Sequence, residues 1–147
     1  MMIDTHTHAD SRSSEDFDLM YTSGIDTAIT CSFYPYKLRN QTCLINHFDR
    51  ILEYDTKRAE EYGLKLEVAL GLHPANVSEN NDQIYEEIRR LVEEKKIVAI
   101  GEIGLDDYWM EDPEEEQKEI FRMQMELARR AKLPVVIHTR DAMEDTV

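Results

Sequence analysis

The sequence predicts an α/β chain of the (β/α) TIM-barrel type, in which five of the eight β-α units are present. Three observations carry this. Apolar strand-like runs alternate five times with helical segments, the pattern of a parallel sheet with helical crossovers. The first, third, fourth and fifth runs each lead into polar residues with metal or anion chemistry, at Asp4-Thr-His-Thr-His8, Gly71-Leu-His-Pro74, Gly101-Glu-Ile-Gly-Leu-Asp106 and Ile137-His-Thr-Arg-Asp-Ala142. No glycine-rich phosphate turn marks a switch point, as an open doubly wound sheet would commonly carry. Strand ends converging on one face suit a barrel better.

The first strand is expected at about Met2 to Thr5, followed by a short helix around Ser14 to Thr22 that leads to Gly24. Ile25 to Ser32, rich in Ile, Thr and Ala, reads as the second strand. Leu44, Ile45, Phe48, Ile51, Leu52 and Ala59 then recur at helical spacing up to Gly63, and Leu64 to Leu70 forms the third strand. Ile84, Tyr85, Ile88, Leu91 and Val92 make the next helical stripe, ahead of a short apolar strand at Ile97 to Ile100. Asp112 as N-cap, Pro113 as first helical residue and Glu115 predict a helix start, and that helix runs through Phe121, Met125 and Ala128 to Lys132. Its acidic run Glu111 to Glu116 reads as a solvated start favoured by the helix dipole. Leu133 to Ile137 is the fifth strand, with another helix opening at Thr139 or Asp141.

A complete barrel of this type takes about 250 residues, so the 147 residues are expected to form one domain, 1–147, truncated after the fifth strand. On that reading the remaining three units belong to a longer protein or come from another chain. Val135, Val136 and Ile137 would then lie uncovered on an edge strand prone to self-association.

Composition limits the function. With 17 Lys plus Arg against 31 Asp plus Glu, the formal net charge of -14 argues against a broad electrostatic grip on nucleic acid. It leaves room for a metal-centred phosphate site, because bound cations reverse the local charge. No apolar run approaches membrane-spanning length and no signal-peptide pattern is visible, so the expectation is a cytoplasmic protein that avoids membranes. Cys31 and Cys43 fit no metal or redox motif and read as reduced structural thiols.

His6 and His8 alternate along a strand onto one face and can grip one metal ion, with Asp4 as a candidate orienting partner. Glu102, between Gly101 and Gly104 after an apolar strand, is an expensive place for an unpaired carboxylate and a candidate metal ligand. His138, directly after Val135-Val136-Ile137, is the same kind of case. His73 precedes Pro74, which favours an extended loop. Arg140 offers a guanidinium for developing phosphoryl charge, against the plainer alternative of an ion pair with Asp141. His47 falls off the apolar face of its helix and reads as solvated. Trp109, Tyr34 and Tyr36 lie in loops after strands, where they could stack on a substrate base or simply cap the barrel.

In these motifs, and in Gln117, Phe121, Gln124 and Leu127-Ala128, the chain resembles the TatD family of metal-dependent hydrolases, within the amidohydrolase-like barrel superfamily. The resemblance implies that His6 and His8 bind one metal, that Glu102 bridges two, and that His138 binds the second. It places His73 and Arg140 beside the substrate phosphate, so that the catalytic set is Glu102, Arg140 and His73. The implied cofactors are two divalent ions, zinc, manganese or magnesium, which activate a water. Two histidines with a carboxylate favour zinc or another transition metal over magnesium. The expected activity is phosphoester hydrolysis like that of a deoxyribonuclease, on a small anionic or phosphodiester substrate, DNA ends included. Hydrolysis of a carboxylic ester, lactone or amide, and a silent metal-binding half-barrel, are the alternatives. The family's further histidine after strand six and aspartate after strand eight have no counterpart here, and Ala75 stands where nuclease members commonly place a second histidine.

Overall fold

The computed structural model describes residues 2–78, 80–108 and 114–147. Five parallel strands, β1 (Met2–Thr7), β2 (Ile25–Cys31), β3 (Lys65–Ala69), β4 (Ile100–Asp106) and β5 (Val135–Arg140), are arranged in the orders β1-β2-β3 and β4-β5. The two sheets touch at one seam. Ala69 forms a parallel bridge with Ala99, Val98 N donates to Val68 O at 2.9 Å, and Gly101 N donates to Leu70 O at 3.2 Å. Adjacent strands therefore follow chain order from β1 to β5.

Helices α1 (Ser14–Thr22), α2 (Gln41–Arg50), α3 (Thr56–Glu60), α4 (Asp82–Glu93), α5 (Glu114–Ala131) and α6 (Met143–Thr146) supply the crossovers. Ser13 and Asp16 close a reciprocal capping box at the start of α1, and the Asn40 side chain accepts from Cys43 N at the start of α2. A π-helical turn, Ile51–Asp55, joins α2 to α3 with α-helical backbone angles at Arg50, Ile51 and Thr56, so the long amphipathic segment is one continuous helix. The N-cap expected at Asp112 and Pro113, and Trp109, lie outside the described residues.

The main core is built from the faces that the apolar periodicity marks. Leu44, Phe48 and Ile51 of the long helix and Ile84, Ile88 and Leu91 of α4 close over Val68, Leu70, Ile100 and Ile103 of the sheet. Truncating Phe48, which is fully buried, to Ala would cost about 3–5 kcal/mol. A second cluster, Phe17, Ala28, Ala59, Leu64 and Leu66, packs α1 and α3 on β2 and β3.

β2 and β3 end one residue earlier than the sequence reading, at Cys31 and Ala69, whereas three other strands run past it. β1 continues to Thr7 rather than Thr5, β4 occupies Ile100–Asp106 rather than Ile97 to Ile100, and β5 extends to Arg140 rather than ending at Ile137. His6, Glu102 and His138 therefore sit inside strands, because backbone pairing continues past the point where the apolar run ends: Gly104 pairs with His138 and Asp106 with Arg140. The last helix opens at Met143, later than expected. The edge expectation for β5 holds only for Ile137, which is 46% exposed, since Val135 packs on the main core and Val136 on Ala69 and Ala99.

Candidate metal centre

Glu102 is the hub of the site. Its Oε2 lies 3.5 Å from His6 Nε2 and 3.5 Å from His8 Nε2, while its Oε1 lies 3.6 Å from His138 Nδ1. One carboxylate oxygen thus faces the β1 pair and the other faces β5.

Each imidazole is oriented by a contact at its other nitrogen or on its ring. His8 Nδ1 lies 3.1 Å from Cys31 O at the end of β2, which makes Nδ1 the donor and leaves Nε2 bare toward Glu102. His138 Nε2 lies 2.9 Å from Asp106 Oδ2, leaving Nδ1 toward Glu102. His6 meets His8 edge to face, with ring centroids 5.1 Å apart. Asp4, expected to orient a histidine ring, instead accepts from the backbone N–H of His6 at 3.1 Å, because the backbone donor is the nearer partner in the extended strand.

His73 differs from the others. Its Nδ1 accepts from Ala75 N at 3.1 Å, and a backbone N–H can only donate, so the neutral ring carries its proton on Nε2. Burial, and then the neighbouring His138, push its pKa down to about 4, so the ring is neutral near pH 7. It packs edge to face on His138 at a centroid distance of 4.2 Å. A neutral imidazole with a protonated Nε2 is a hydrogen-bond donor for an anionic oxygen rather than a metal ligand, although its nitrogen lies within 4.8 Å of the Glu102 and His138 donors.

The electrostatics match a cation site. Burial acts to raise the Glu102 pKa, but the facing His138 and the nearby His73, His6 and His8 outweigh it and bring the carboxyl down to about 2. Metals fit the donor set. Among the described residues, His6, His8 and Glu102 form one group with donor atoms within 4.8 Å of one another, and Glu102 and His138 belong to another. Ligand bonds of about 2.0–2.1 Å in tetrahedral geometry space donors about 3.3–3.5 Å apart, the spacing found between Glu102 and its two β1 histidines.

Local sequence makes this convergence possible. Gly104 has φ +150°, and a Cβ there would stand 1.9 Å from His138 O, so only glycine lets β4 reach β5 beside His138. A Cβ at Gly101 would stand 2.6 Å from Val136 Cβ, so the position before Glu102 also requires close approach.

Arg140 stacks its guanidinium 3.9 Å over the Tyr108 ring, a different placement from the Asp141 pair considered as its plainer role. Tyr34 and Tyr36 meet edge to face at 5.9 Å, and the buried Asn76 donates to both of their carbonyls at 3.1 and 3.4 Å. His47 is not solvated as expected: its Nε2 lies 2.7 Å from Asp10 Oδ2, and its side chain is 13% exposed. The physical reason is the loop after β1, which carries Asp10 back over the long helix. The same Oδ2 accepts from Phe33 N, and the Phe33 ring tilts against His8 at 5.6 Å. Arg58 Nη2 ties Ala9 O and Asp55 Oδ1 together, at 2.9 and 2.8 Å. Cys31 is fully buried at the end of β2, and its thiol is pushed up to about 12 by burial and by Glu102 and Asp10, which keeps it protonated.

Sequence reasoning gave no role to Asp106, Asp10, Gln117 or Gln124. Asp106 could have been suspected as a polar residue closing an otherwise buried strand, and the two glutamines as polar residues on the apolar face of α5.

The sequence model of the family described as TatD-related DNase matches residues 3–147. The chain belongs to this family. It is 39% identical over 138 residues to an uncharacterized metal-dependent hydrolase of Methanocaldococcus jannaschii, a match covering 94% of this chain and 53% of that protein. It is 34% identical over 148 residues to another from Bacillus subtilis, covering all of this chain and 54% of that one. Among solved structures, a TatD-like protein from Archaeoglobus fulgidus superposes with a TM-score of 0.83 at 27% identity, covering 95% of this chain and 56% of that chain. A TatD homologue from Escherichia coli gives 0.75 at 30% identity, covering 99% and 53%. The TatD-family chain thus spans about half the length of the relatives it matches. Among the described residues no helix is long and apolar enough to cross a membrane.

Proposed function

We propose that this chain forms the metal-binding part of a phosphoester hydrolase, built on five units of a (β/α) barrel and working in a reducing cytoplasmic setting. The observation that carries the reading is Glu102, which offers Oε2 to His6 and His8 and Oε1 to His138. His6, His8 and Glu102 would hold one divalent ion, and Glu102 with His138 a second. When bound, two such ions lower the pKa of a water and draw charge from the phosphoryl oxygens.

The protein's own groups then divide the work. His138 keeps its Nε2 proton on Asp106, which fixes Nδ1 as the free donor. His73, neutral and protonated on Nε2, donates to a non-bridging oxygen of the substrate. Arg140, two residues beyond His138 on β5, supplies fixed positive charge for the same phosphoryl group. Tyr108 beneath it holds the guanidinium plane. With a net charge of -14, attraction for the substrate has to come from this centre, which favours a short phosphodiester or a nucleic-acid end over a long polyanion.

The test is hydrolysis of bis-p-nitrophenyl phosphate against p-nitrophenyl acetate with zinc or manganese, using this chain in an assembly that supplies the remaining barrel strands. We expect phosphodiester turnover that falls by about 100-fold or more in Glu102→Ala. Near-normal phosphodiester turnover in that variant, or turnover of the acetate alone, would refute the reading.

A further inference from the structure

Helix α5 carries two glutamines on its buried face, Gln117 and Gln124, two helical turns and about 10 Å apart along the axis. Both are almost fully buried. Each reads both backbone groups of a single residue in the sheet layer. Gln117 Oε1 accepts from Asp106 N at 2.9 Å, and its Nε2 donates to Asp106 O at 3.3 Å. Gln124 Oε1 accepts from Leu72 N at 2.7 Å, and its Nε2 donates to Leu72 O at 3.1 Å.

A primary amide that pairs with an N–H and a C=O of the same residue imitates a neighbouring β-strand. It satisfies backbone groups that would otherwise be buried without partners. The two clamped residues are not arbitrary. Leu72 directly precedes His73, and Asp106 holds the Nε2 proton of His138. These two histidines, from different loops and strands, meet edge to face at 4.2 Å. One rigid helix thus grips both segments that bring them together, while neither clamp touches His6 or His8.

We propose that Gln117 and Gln124 are positioning residues: α5 acts as a spacer that sets the His73 donor against the His138 metal arm, with each glutamine holding one of the two. The inference rests on the metal-centre reading for what the His138 arm binds. The spacing role itself does not require a metal. Gln124 governs His73 through Leu72, and Gln117 governs His138 through Asp106, so the two should fail differently.

The experiment has two readouts on the 147-residue chain. Imidazole nitrogen NMR of the metal-free protein reports the tautomer of each ring, and calorimetric titration with zinc alone reports affinity. In wild type, at a pH high enough that His138 has lost its second proton, His73 and His138 should both show the Nε2–H form. Gln124→Leu should move the His73 signals toward those of a freely averaging imidazole and leave zinc affinity within about threefold. Gln117→Leu should move His138 and weaken the zinc event that involves it by about 10-fold or more. His6 and His8 should keep wild-type signals in both variants.

Because leucine leaves two backbone groups unpaired, either variant could lose its fold. Gln117→Glu and Gln124→Glu keep the length and the acceptor for the backbone N–H, and should show smaller shifts of the same selective kind. Equal disturbance of all four rings, or none, in the folded variants overturns the proposal. If wild type binds no zinc through His138, the metal reading fails, and the ring signals alone still decide the spacer role.

Discussion

Asp106 Oδ2 lies 2.9 Å from His138 Nε2, and this contact decides which nitrogen of His138 faces Glu102. A carboxylate can only accept here, so the ring proton sits on Nε2 and Nδ1 turns inward. Asp106 is itself fixed. It is 2% exposed, its backbone is held by Gln117, and its Oδ1 accepts from Tyr108 N at 3.1 Å.

Replacing Asp106 with Asn should therefore weaken zinc binding through His138 by about 10-fold or more. The amide can still accept through its oxygen, but it lacks the charge that makes the imidazole a stronger donor to a cation. Calorimetric titration of Asp106→Asn against wild type measures the change. Equal affinity would mean that Asp106 does not act through His138.

The pH dependence of metal uptake follows from the same ring. The facing Glu102 carboxylate raises the His138 pKa above its ordinary 6.5, burial opposes this, and Asp106 adds to the rise. A raised value means that the protonated ring stabilises the metal-free fold. That contribution is full below the unfolded-state pKa and is lost as pH rises through the folded-state value. Metal binding needs Nδ1 free of its proton, so zinc affinity should increase with pH across the same window, above 6.5. Calorimetry in two buffers of different ionisation enthalpy, at about pH 6 and about pH 8, should register more proton release at the lower pH. An affinity that falls with rising pH would contradict this assignment of the ring.

The two ends of Glu102 predict separable losses. His6→Ala with His8→Ala removes both β1 donors and should leave at most the ion bound through Glu102 and His138. His138→Ala should do the reverse. Elemental analysis of protein purified without chelator distinguishes them, and unchanged metal content in the His6/His8 double variant would overturn the β1 assignment.

The β1 pair, Glu102 and His138 were legible because each is a polar, ligand-type side chain where an apolar strand gives way, a placement that needs a partner. Their partners were less visible. Asp10 meets His47 across the loop and the long helix, and Gln124 meets Leu72 from α5, 52 residues further along the chain. Nothing in local periodicity encodes such pairings. β1, β4 and β5 run past their apolar stretches for a related reason: in β5 hydrophobicity stops at Ile137, whereas ladder pairing runs on to Arg140. The tautomer of His73 was also beyond the sequence, since it depends on a single backbone N–H two residues away.

Gly104 offers the sharpest test of how β4 and β5 are held together. Its φ of +150° is a conformation that side-chain-bearing residues rarely adopt, and an added Cβ would stand 1.9 Å from the carbonyl oxygen of His138. Relief requires backbone movement in β5, because the obstructing atom belongs to the strand and not to a flexible side chain. Gly104→Ala should therefore destabilise the fold by at least about 2–3 kcal/mol and should also displace His138 relative to Glu102. Gly24 is a useful control: its φ is +94°, but a Cβ there meets nothing within 4 Å. Gly24→Ala should share the backbone cost without the collision, and should leave zinc binding intact. Thermal or urea unfolding of both variants, paired with zinc titration, measures the two effects. If Gly104→Ala were no more damaging than Gly24→Ala in stability and in metal affinity, the close approach of β4 to His138 would not be what builds the site.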